Sequence, residues 1–388
     1  MMRVMVVLNS LFTGGAEYST LELYGWLARQ GSQIRLVCCG NSRLAFNPSK
    51  FGLQGAMLLT GKNFLSRRAE LKKLIHEFRP NAVHSVLFNA NMLCRSVRVF
   101  NNSFVHIESL VNEMYSEFRY SDPNVGRYKL GAYRWVDRLT QKFGVDHFHA
   151  NGRSVADHYK LKLGINERKI TIVPRGRVSN KFSGKADIIL RIRREFGAEN
   201  RILFINVARH EYQKGQEVLI AAVADLEPEV RRRLKILLVG RHGTTTNLIQ
   251  TLVDNYHLHE TISIVGHRDD VQELLAASDV FVFPSRFEGL PGAIIEAEAA
   301  SLPILCSDIP NNREVVDGGN NALFFRVDDV SGLCAQITRL TMDESLRARL
   351  GEVSLKVFAE RYHIEQIQEQ FRKFLSSRVG LKESNEAR

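Results

Sequence analysis

The chain has 388 residues, more than one hydrophobic core ordinarily serves, so two domains are expected. With 44% hydrophobic and 24% charged residues it has the composition of a soluble globular protein, and no apolar run approaches the roughly 18 residues of a membrane span. The formal charge of +11 is uneven: residues 1–180 carry 26 Lys and Arg against 12 Asp and Glu, so the surplus lies in the first half and the remainder is slightly acidic. A basic half points to a polyanionic partner, whether nucleic acid, anionic lipid or a phosphorylated substrate.

The five cysteines, Cys38, Cys39, Cys94, Cys306 and Cys334, lack metal-ligand spacing and read as small buried residues, with nothing to suggest an oxidising compartment. A strand is predicted over residues 3–8 without an apolar leader, so no signal peptide is expected. A loop over 9–15, a helix over 16–30 and a strand over 34–39 follow. Thr13, Gly14, Gly15, Ala16 and Glu17 stand where the loop meets the helix. Paired glycines let a backbone approach a ligand closely, and such a loop opening a helix makes an anion site. The plainer reading is a turn, with Glu17 complementing the helix dipole.

Residues 62–79 predict a basic amphipathic helix with Leu65, Leu71, Leu74, Ile75 and Phe78 on one face. It either covers a sheet or rests on anionic lipid. After a short strand over 82–85, residues 104–108 read as a strand with His106 at its C-terminal end, where open α/β sheets place ligands. Glu108 reads as an acceptor-side base or as a loop charge. Residues 109–145 mix aromatic and basic side chains, among them Tyr115, Tyr128, Tyr133, Trp135, Arg138 and Lys142. That mixture suits a lipid headgroup interface. It also suits a core helix over 133–143 preceding a strand over 145–150.

A strand over 170–174 leads into Arg175, Gly176, Arg177 and Val178, and residues 175–185 read as an interdomain linker. A helix over 186–196 and a strand over 202–207 restart the pattern. Arg209 and Lys214, five residues apart at the strand end with Gly215 behind them, can converge on one phosphate group, the arginine as a fork and the lysine as a point charge. A strand over 262–265 runs into Gly266, His267 and Arg268. Asp269 and Asp270 do not form a D-x-D metal motif and stand at a helix start, where acidic caps are ordinary, so no required metal is expected.

Residues 280–307 are the most informative stretch. A buried strand ends at Pro284, a loop carries Glu288 and Gly289, Pro291 opens a helix, and a second buried strand follows over 302–305. This βαβ unit presents a helix N-terminus to anions. A phosphate would sit near the amides of Gly289 and Leu290, with Glu288 and Glu296 accepting from sugar hydroxyls on either side. Glu298 reads as a solvated helix position.

This stretch resembles the retaining glycosyltransferases of the GT-B fold, glycosyltransferase family 4, whose signature pairs two glutamates in a P-S-x-x-E-G-x-x-x-x-x-x-E setting. Pro284, Ser285, Glu288, Gly289 and Glu296 match it. The likeness runs over nearly the whole chain. Gly14, Gly15, Ala16 and Glu17 match a G-G-A-E motif that faces the interdomain cleft in the family. Arg209, Lys214 and Gly215 match the R-x-x-x-x-K-G element that binds the donor's diphosphate. His106 stands where the family often has a histidine contacting the donor sugar, and the loop at Gly266 and His267 resembles the one touching the nucleotide base. Two departures are visible. Ile107 replaces a polar residue, and Arg175 replaces the asparagine of a P-N-G-V-D segment whose end is displaced by Arg177 and Val178.

The resemblance implies an α/β fold of two Rossmann-like domains facing across a cleft. Residues 1–178 would form the acceptor-side domain and 186–361 the donor domain, with a helix over about 362–388 packing back on the first. The implied function is transfer of a glycosyl unit from a nucleoside-diphosphate sugar, UDP-linked by expectation, to a hydroxyl of a lipid-linked or cell-envelope glycan. Anomeric configuration would be retained and no cofactor required. Glu288 would hold the sugar, Glu296 the ribose, and Arg209 and Lys214 the departing diphosphate. The expected location is cytoplasmic, peripheral on an anionic membrane through the basic half. Rival readings are a sugar-nucleotide epimerase of the same fold and a non-catalytic nucleotide-sugar or glycan-binding protein. A nucleic-acid-binding protein would explain the basic half but would leave the glutamate pair without a role.

Overall fold

The computed structural model describes residues 2–11, 14–40 and 47–386, apart from the side chains of 381–386. Thr13, residues 387–388 and the side chains of 381–386 lie outside the described residues. The chain divides into two compact units. One comprises Met1–Tyr115, Arg127–Gly176 and Glu365–Arg388, the other Ser116–Gly126 and Arg177–Ile364.

The first unit holds a parallel sheet of seven strands: β1 (Arg3–Leu8), β2 (Gln33–Cys38), β3 (Ala56–Leu58), β4 (Ala82–Val86), β5 (Val105–Leu110), β6 (His147–Ala150) and β7 (Ile170–Ile172). Their order is β3-β2-β1-β4-β5-β6-β7. The central strands are apolar almost throughout and buried on both faces, as parallel strands covered by helices must be. On one face β1 packs with the helices Gly15–Arg29 and Ile364–Glu386, and the latter contributes Ile367, Phe371, Phe374 and Leu375 to the core. On the other face lie the helices Phe64–Phe78 and Phe88–Arg98.

The second unit repeats the plan with six parallel strands: β8 (Ile202–Val207), β9 (Leu234–Val239), β10 (Ile262–Gly266), β11 (Val280–Phe283), β12 (Ile304–Ser307) and β13 (Ala322–Phe325). Their order is β10-β9-β8-β11-β12-β13. In each sheet the strand order reverses beside the first strand, between β1 and β4 and between β8 and β11. Loops leaving the two central strands there run in opposite directions and open a crevice at the carboxyl ends, where open α/β sheets bind ligands. In the second unit those loops are 208–215 and 284–291.

Candidate functional site

The crevice between β8 and β11 is built from buried amides. Asn206, wholly buried at the end of β8, donates from Nδ2 to the Val282 carbonyl at 2.8 Å, and Gln216 Nε2 donates to Asn206 Oδ1 at 2.9 Å. The first bond occupies a backbone carbonyl that the diverging strands would otherwise leave unpaired, and the second holds the Asn206 amide in place. Gly215 then brings the two loops into contact. Its φ of +59° is left-handed, and a Cβ there would overlap the Pro284 carbonyl oxygen, so only glycine fits.

That contact sets Lys214 against Glu288. Lys214 Nζ lies 2.5 Å from Glu288 Oε1, with both side chains largely buried. The ammonium also lies 5.1 Å from the centre of the Phe283 ring. Arg209 is exposed at the start of the same loop. A lysine held by one carboxylate keeps further N–H donors for an anion. Lys214 thus supplies positive charge beside a carboxylate that can accept hydrogen bonds from hydroxyls, and Arg209 adds a second cation at the start of the same loop.

Two residues that sequence reasoning missed, Gln213 and Arg286, hold this loop pair together. Gln213 Nε2 donates to the Phe287 carbonyl at 2.7 Å, and the Arg286 amide donates to the Gln213 carbonyl at 2.8 Å. The buried Arg286 guanidinium donates to the Tyr212 carbonyl at 2.5 Å and pairs with Glu217 at 2.7 Å and Asp328 at 2.9 Å. It also stacks over the Tyr212 ring at 4.1 Å. No local pattern marks Arg286, because its partners lie far away in the chain.

The helix Gly292–Ala299 follows, with Pro291 at its N-cap. Gly289 and Leu290 sit in the loop before it, Leu290 buried. Glu296 is partly exposed and pairs with Arg177. Glu298 corrects the expectation of a solvated position. It is wholly buried, accepts from Asn321 Nδ2 at 2.9 Å, and burial pushes its carboxyl well above the usual range. A protonated carboxyl in an amide network can occupy a core position that a bare carboxylate could not. Gly266 ends β10 with a left-handed φ of +75°, and His267 beside it is more than half exposed, 3.6 Å from Asp269. Asp270 pairs with Arg268, which also reaches Glu195.

In the first unit the glycine pair opens the helix Gly15–Arg29, and Gly14 is its N-cap. Glu17 folds over Gly14, and Arg175 lies against Gly15, where a Cβ would come within 3.2 Å of its Nη1. The arginine that stands in place of the family's asparagine therefore packs on the glycine loop.

His106 and Glu108 are corrections. His106 is the second residue of β5 rather than its last, at the end of the strand opposite the crevice. It is wholly buried between Ser85 Oγ at 2.9 Å and the Gly144 carbonyl at 2.5 Å. Burial pushes the imidazole down to about 4. Glu108 sits within the strand in a two-pronged ion pair with Arg95, at 2.6 and 2.8 Å, and Arg95 also pairs with Asp137 at 2.6 Å. Burial pushes the Glu108 carboxyl up and the Arg95 charge opposes this. Glu108 is therefore neither an acceptor-side base nor a loop charge but a core group neutralised by Arg95, and the strand runs on to Leu110. Ser109 and Leu110 occupy the crevice end that His106 was expected to fill.

The helix Arg127–Gly144 begins six residues before the predicted one. It turns Leu130, Asp137 and Gln141 inward and leaves Tyr128, Trp135 and Phe143 at 96%, 66% and 74% exposure. Tyr115, by contrast, is buried and donates to Asp137 at 2.7 Å.

Two doubly wound parallel sheets, with cations and carboxylates gathered at the switch point of the second, define an α/β protein of the GT-B class. Residues 13–178 match the family model "Glycosyltransferase Family 4" and residues 189–357 match "Glycosyl transferases group 1", so that the two together cover both units. The chain belongs to the group 1, family 4 glycosyltransferases. The chain is 28% identical over 181 residues to N-acetyl-alpha-D-glucosaminyl L-malate synthase of Bacillus anthracis, covering 46% of this chain and 47% of that protein. It is 29% identical over 192 residues to the UDP-Gal:alpha-D-GlcNAc-diphosphoundecaprenol alpha-1,3-galactosyltransferase of Escherichia coli, covering 48% of each. The matches thus span about half the length of these relatives. Among solved structures, Anabaena Alr3699/HepE in complex with UDP and glucose superposes with a TM-score of 0.84 at 17% identity, over 97% of this chain and 100% of that one, which shows the shared fold.

Proposed function

We propose that the protein is a retaining glycosyltransferase that moves a sugar from a UDP-linked donor to a hydroxyl of a lipid-linked or cell-envelope glycan. The observation that carries this reading is the Lys214–Glu288 pair at the β8/β11 crevice, with Arg209 on the same loop. Loss of a nucleoside diphosphate builds negative charge on the leaving oxygens, and fixed cations in a partly buried site stabilise it. Glu288 accepts from the sugar hydroxyls, Glu296 from the ribose, and the amides near Gly289 face the phosphates. Arg209 and Lys214 supply the charge a divalent cation would otherwise bring, so the reaction proceeds without added metal.

The donor reading draws support from the Escherichia coli relative, whose name specifies UDP-Gal, and from the fold neighbour solved with UDP. The same relative's name specifies a diphosphoundecaprenol acceptor, which supports a lipid-linked acceptor here. No helix among the described residues is long and apolar enough to cross a membrane. The exposed face of the helix Arg127–Gly144 suits a peripheral position on the cytoplasmic leaflet, because rings and cations both settle at headgroup depth.

The test is a transfer assay with UDP-, GDP- and ADP-sugars against a lipid-linked glycan extract, with and without chelator, reading the product's anomeric configuration by NMR. A retained configuration with a UDP-sugar and indifference to chelator are expected. Sugar epimerisation without transfer would replace this reading with an epimerase.

A further inference from the structure

Arg177 opens the second unit, and its side chain reaches the helix that carries Glu296. Its Nε lies 2.6 Å from Glu296 Oε1, and the arginine side chain is 8% exposed. The guanidinium lies along the first turn of that helix, because a Cβ on Gly292 would overlap its Nη2. Gly292 stands one turn before Glu296 on the same face, so the absence of a side chain there makes the groove in which the guanidinium rests.

The backbone of Arg177 is fixed as firmly. Its amide donates to the Tyr362 carbonyl at 2.9 Å, and the Ile364 amide donates to the Arg177 carbonyl at 2.9 Å, in a parallel bridge opposite His363. The two ends of the segment Arg177–Ile364 are thereby tied together, and the arginine projects from a held backbone into a fitted groove. Its charge-assisted bond engages one oxygen of a carboxylate that remains one-third exposed, leaving the other for a ligand.

We propose that Arg177 is a positioning residue for the nucleotide's ribose. It fixes the Glu296 carboxylate so that the second oxygen is presented to the ribose hydroxyls without first being ordered. This rests on the reading of Glu296 as the ribose ligand. A glutamate without such a partner samples several rotamers and loses that freedom on binding, whereas one already held does not. The arginine therefore acts on discrimination between ribose and deoxyribose, whereas a tie that merely stabilised the helix would not.

The test is calorimetric titration of the full-length protein with UDP, GDP and ADP and with their 2′-deoxy counterparts. Thermal melts verify folding, and the variants are Glu296→Ala, Arg177→Leu, Arg177→Lys and Gly292→Ala. The wild type should prefer the ribose form of its nucleotide by about tenfold, the factor one hydrogen bond to a charged group supplies. Glu296→Ala should abolish the preference. Arg177→Leu should cut it to about twofold, and Arg177→Lys should restore part of it. Gly292→Ala displaces the guanidinium without removing its charge and should repeat the loss, so a poorly folding Arg177→Leu leaves the idea open to refutation. Loss of preference in Glu296→Ala with full preference in Arg177→Leu and Gly292→Ala would overturn the positioning role alone. Full preference in Glu296→Ala, or none in the wild type, would instead overturn the ribose reading itself, and the positioning role with it.

Discussion

Lys214 Nζ and Glu288 Oε1 meet at 2.5 Å although 74 residues separate them in the chain. Breaking a buried pair leaves one charge uncompensated at a cost of about 3 kcal/mol. Lys214→Ala should therefore lower stability as well as remove nucleotide binding. Adding Glu288→Gln to it should recover most of the stability and none of the binding. Urea denaturation read beside nucleotide titration checks this, and recovery of binding in the double variant would contradict it.

Arg286 predicts a different pattern. Its fork serves the Tyr212 carbonyl and two carboxylates at once, a geometry lysine cannot reproduce. Arg286→Lys should cost about 2 kcal/mol of stability and reduce kcat/KM for the donor at least tenfold by loosening the loop that carries Lys214. Steady-state kinetics at saturating acceptor checks this; an Arg286→Lys enzyme with wild-type kcat/KM would count against the clamp.

The first unit carries a one-way hydrogen-bond chain. Tyr24 donates to His84 Nδ1 at 2.5 Å, His84 Nε2 donates to Ser109 at 2.7 Å, Ser109 donates to His149 Nδ1 at 3.3 Å, and His149 Nε2 donates to the Val173 carbonyl at 3.0 Å. The links from Tyr24 to His84 Nδ1 and from Ser109 to His149 Nδ1 need an unprotonated acceptor, so both rings are neutral. Burial holds His84 well below its ordinary 6.5, and burial takes His149 and His106 down to about 4. The unfolded chain binds these protons near pH 6.5, whereas the fold binds those of His149 and His106 only near 4 and holds His84 well below its ordinary value. Stability is thus complete above about pH 6.5 and falls as pH drops toward 4, by up to ~1.4 kcal/mol per pH unit for each ring. Urea midpoints at pH 7.5, 6 and 5 check this, and a flat series would contradict it.

The helix Arg127–Gly144 predicts lipid binding. Its exposed rings are flanked by Arg127, Lys129, Arg138 and Lys142, all exposed, and its one acid, Asp137, is buried. Trp135→Ser with Phe143→Ser should reduce flotation with anionic vesicles at least tenfold, given about 1.5–3 kcal/mol for burying each large apolar side chain. Neutral vesicles should bind weakly throughout. Equal flotation of wild type and variant would remove this helix from the account.

What the sequence made legible was local. Gly14–Gly15, Arg209–Lys214–Gly215 and Glu288–Glu296 each lie within one strand-loop-helix unit, so spacing and the family resemblance together singled them out. Arg286 and Arg177 escaped because their partners lie 42 to 119 residues away. His106 was misplaced for a related reason. Glu108 looked like the end of a strand, and only its pairing with Arg95 lets β5 continue through it. Glu298 looked solvated because its amide partner Asn321 is 23 residues distant. In each case a remote neighbour overrode the local signal.

A nucleoside diphosphate held in the β8/β11 crevice should stabilise the native fold. A thermal-shift panel of UDP, GDP, ADP and their sugar conjugates, with wild type beside Lys214→Ala and Glu296→Ala, tests it most directly. The melting temperature should rise with UDP and UDP-sugars and the rise should be lost or greatly reduced in both variants, since a ligand bound only to the native state stabilises it by mass action. No shift with any nucleotide, or a shift unchanged in both variants, would contradict it.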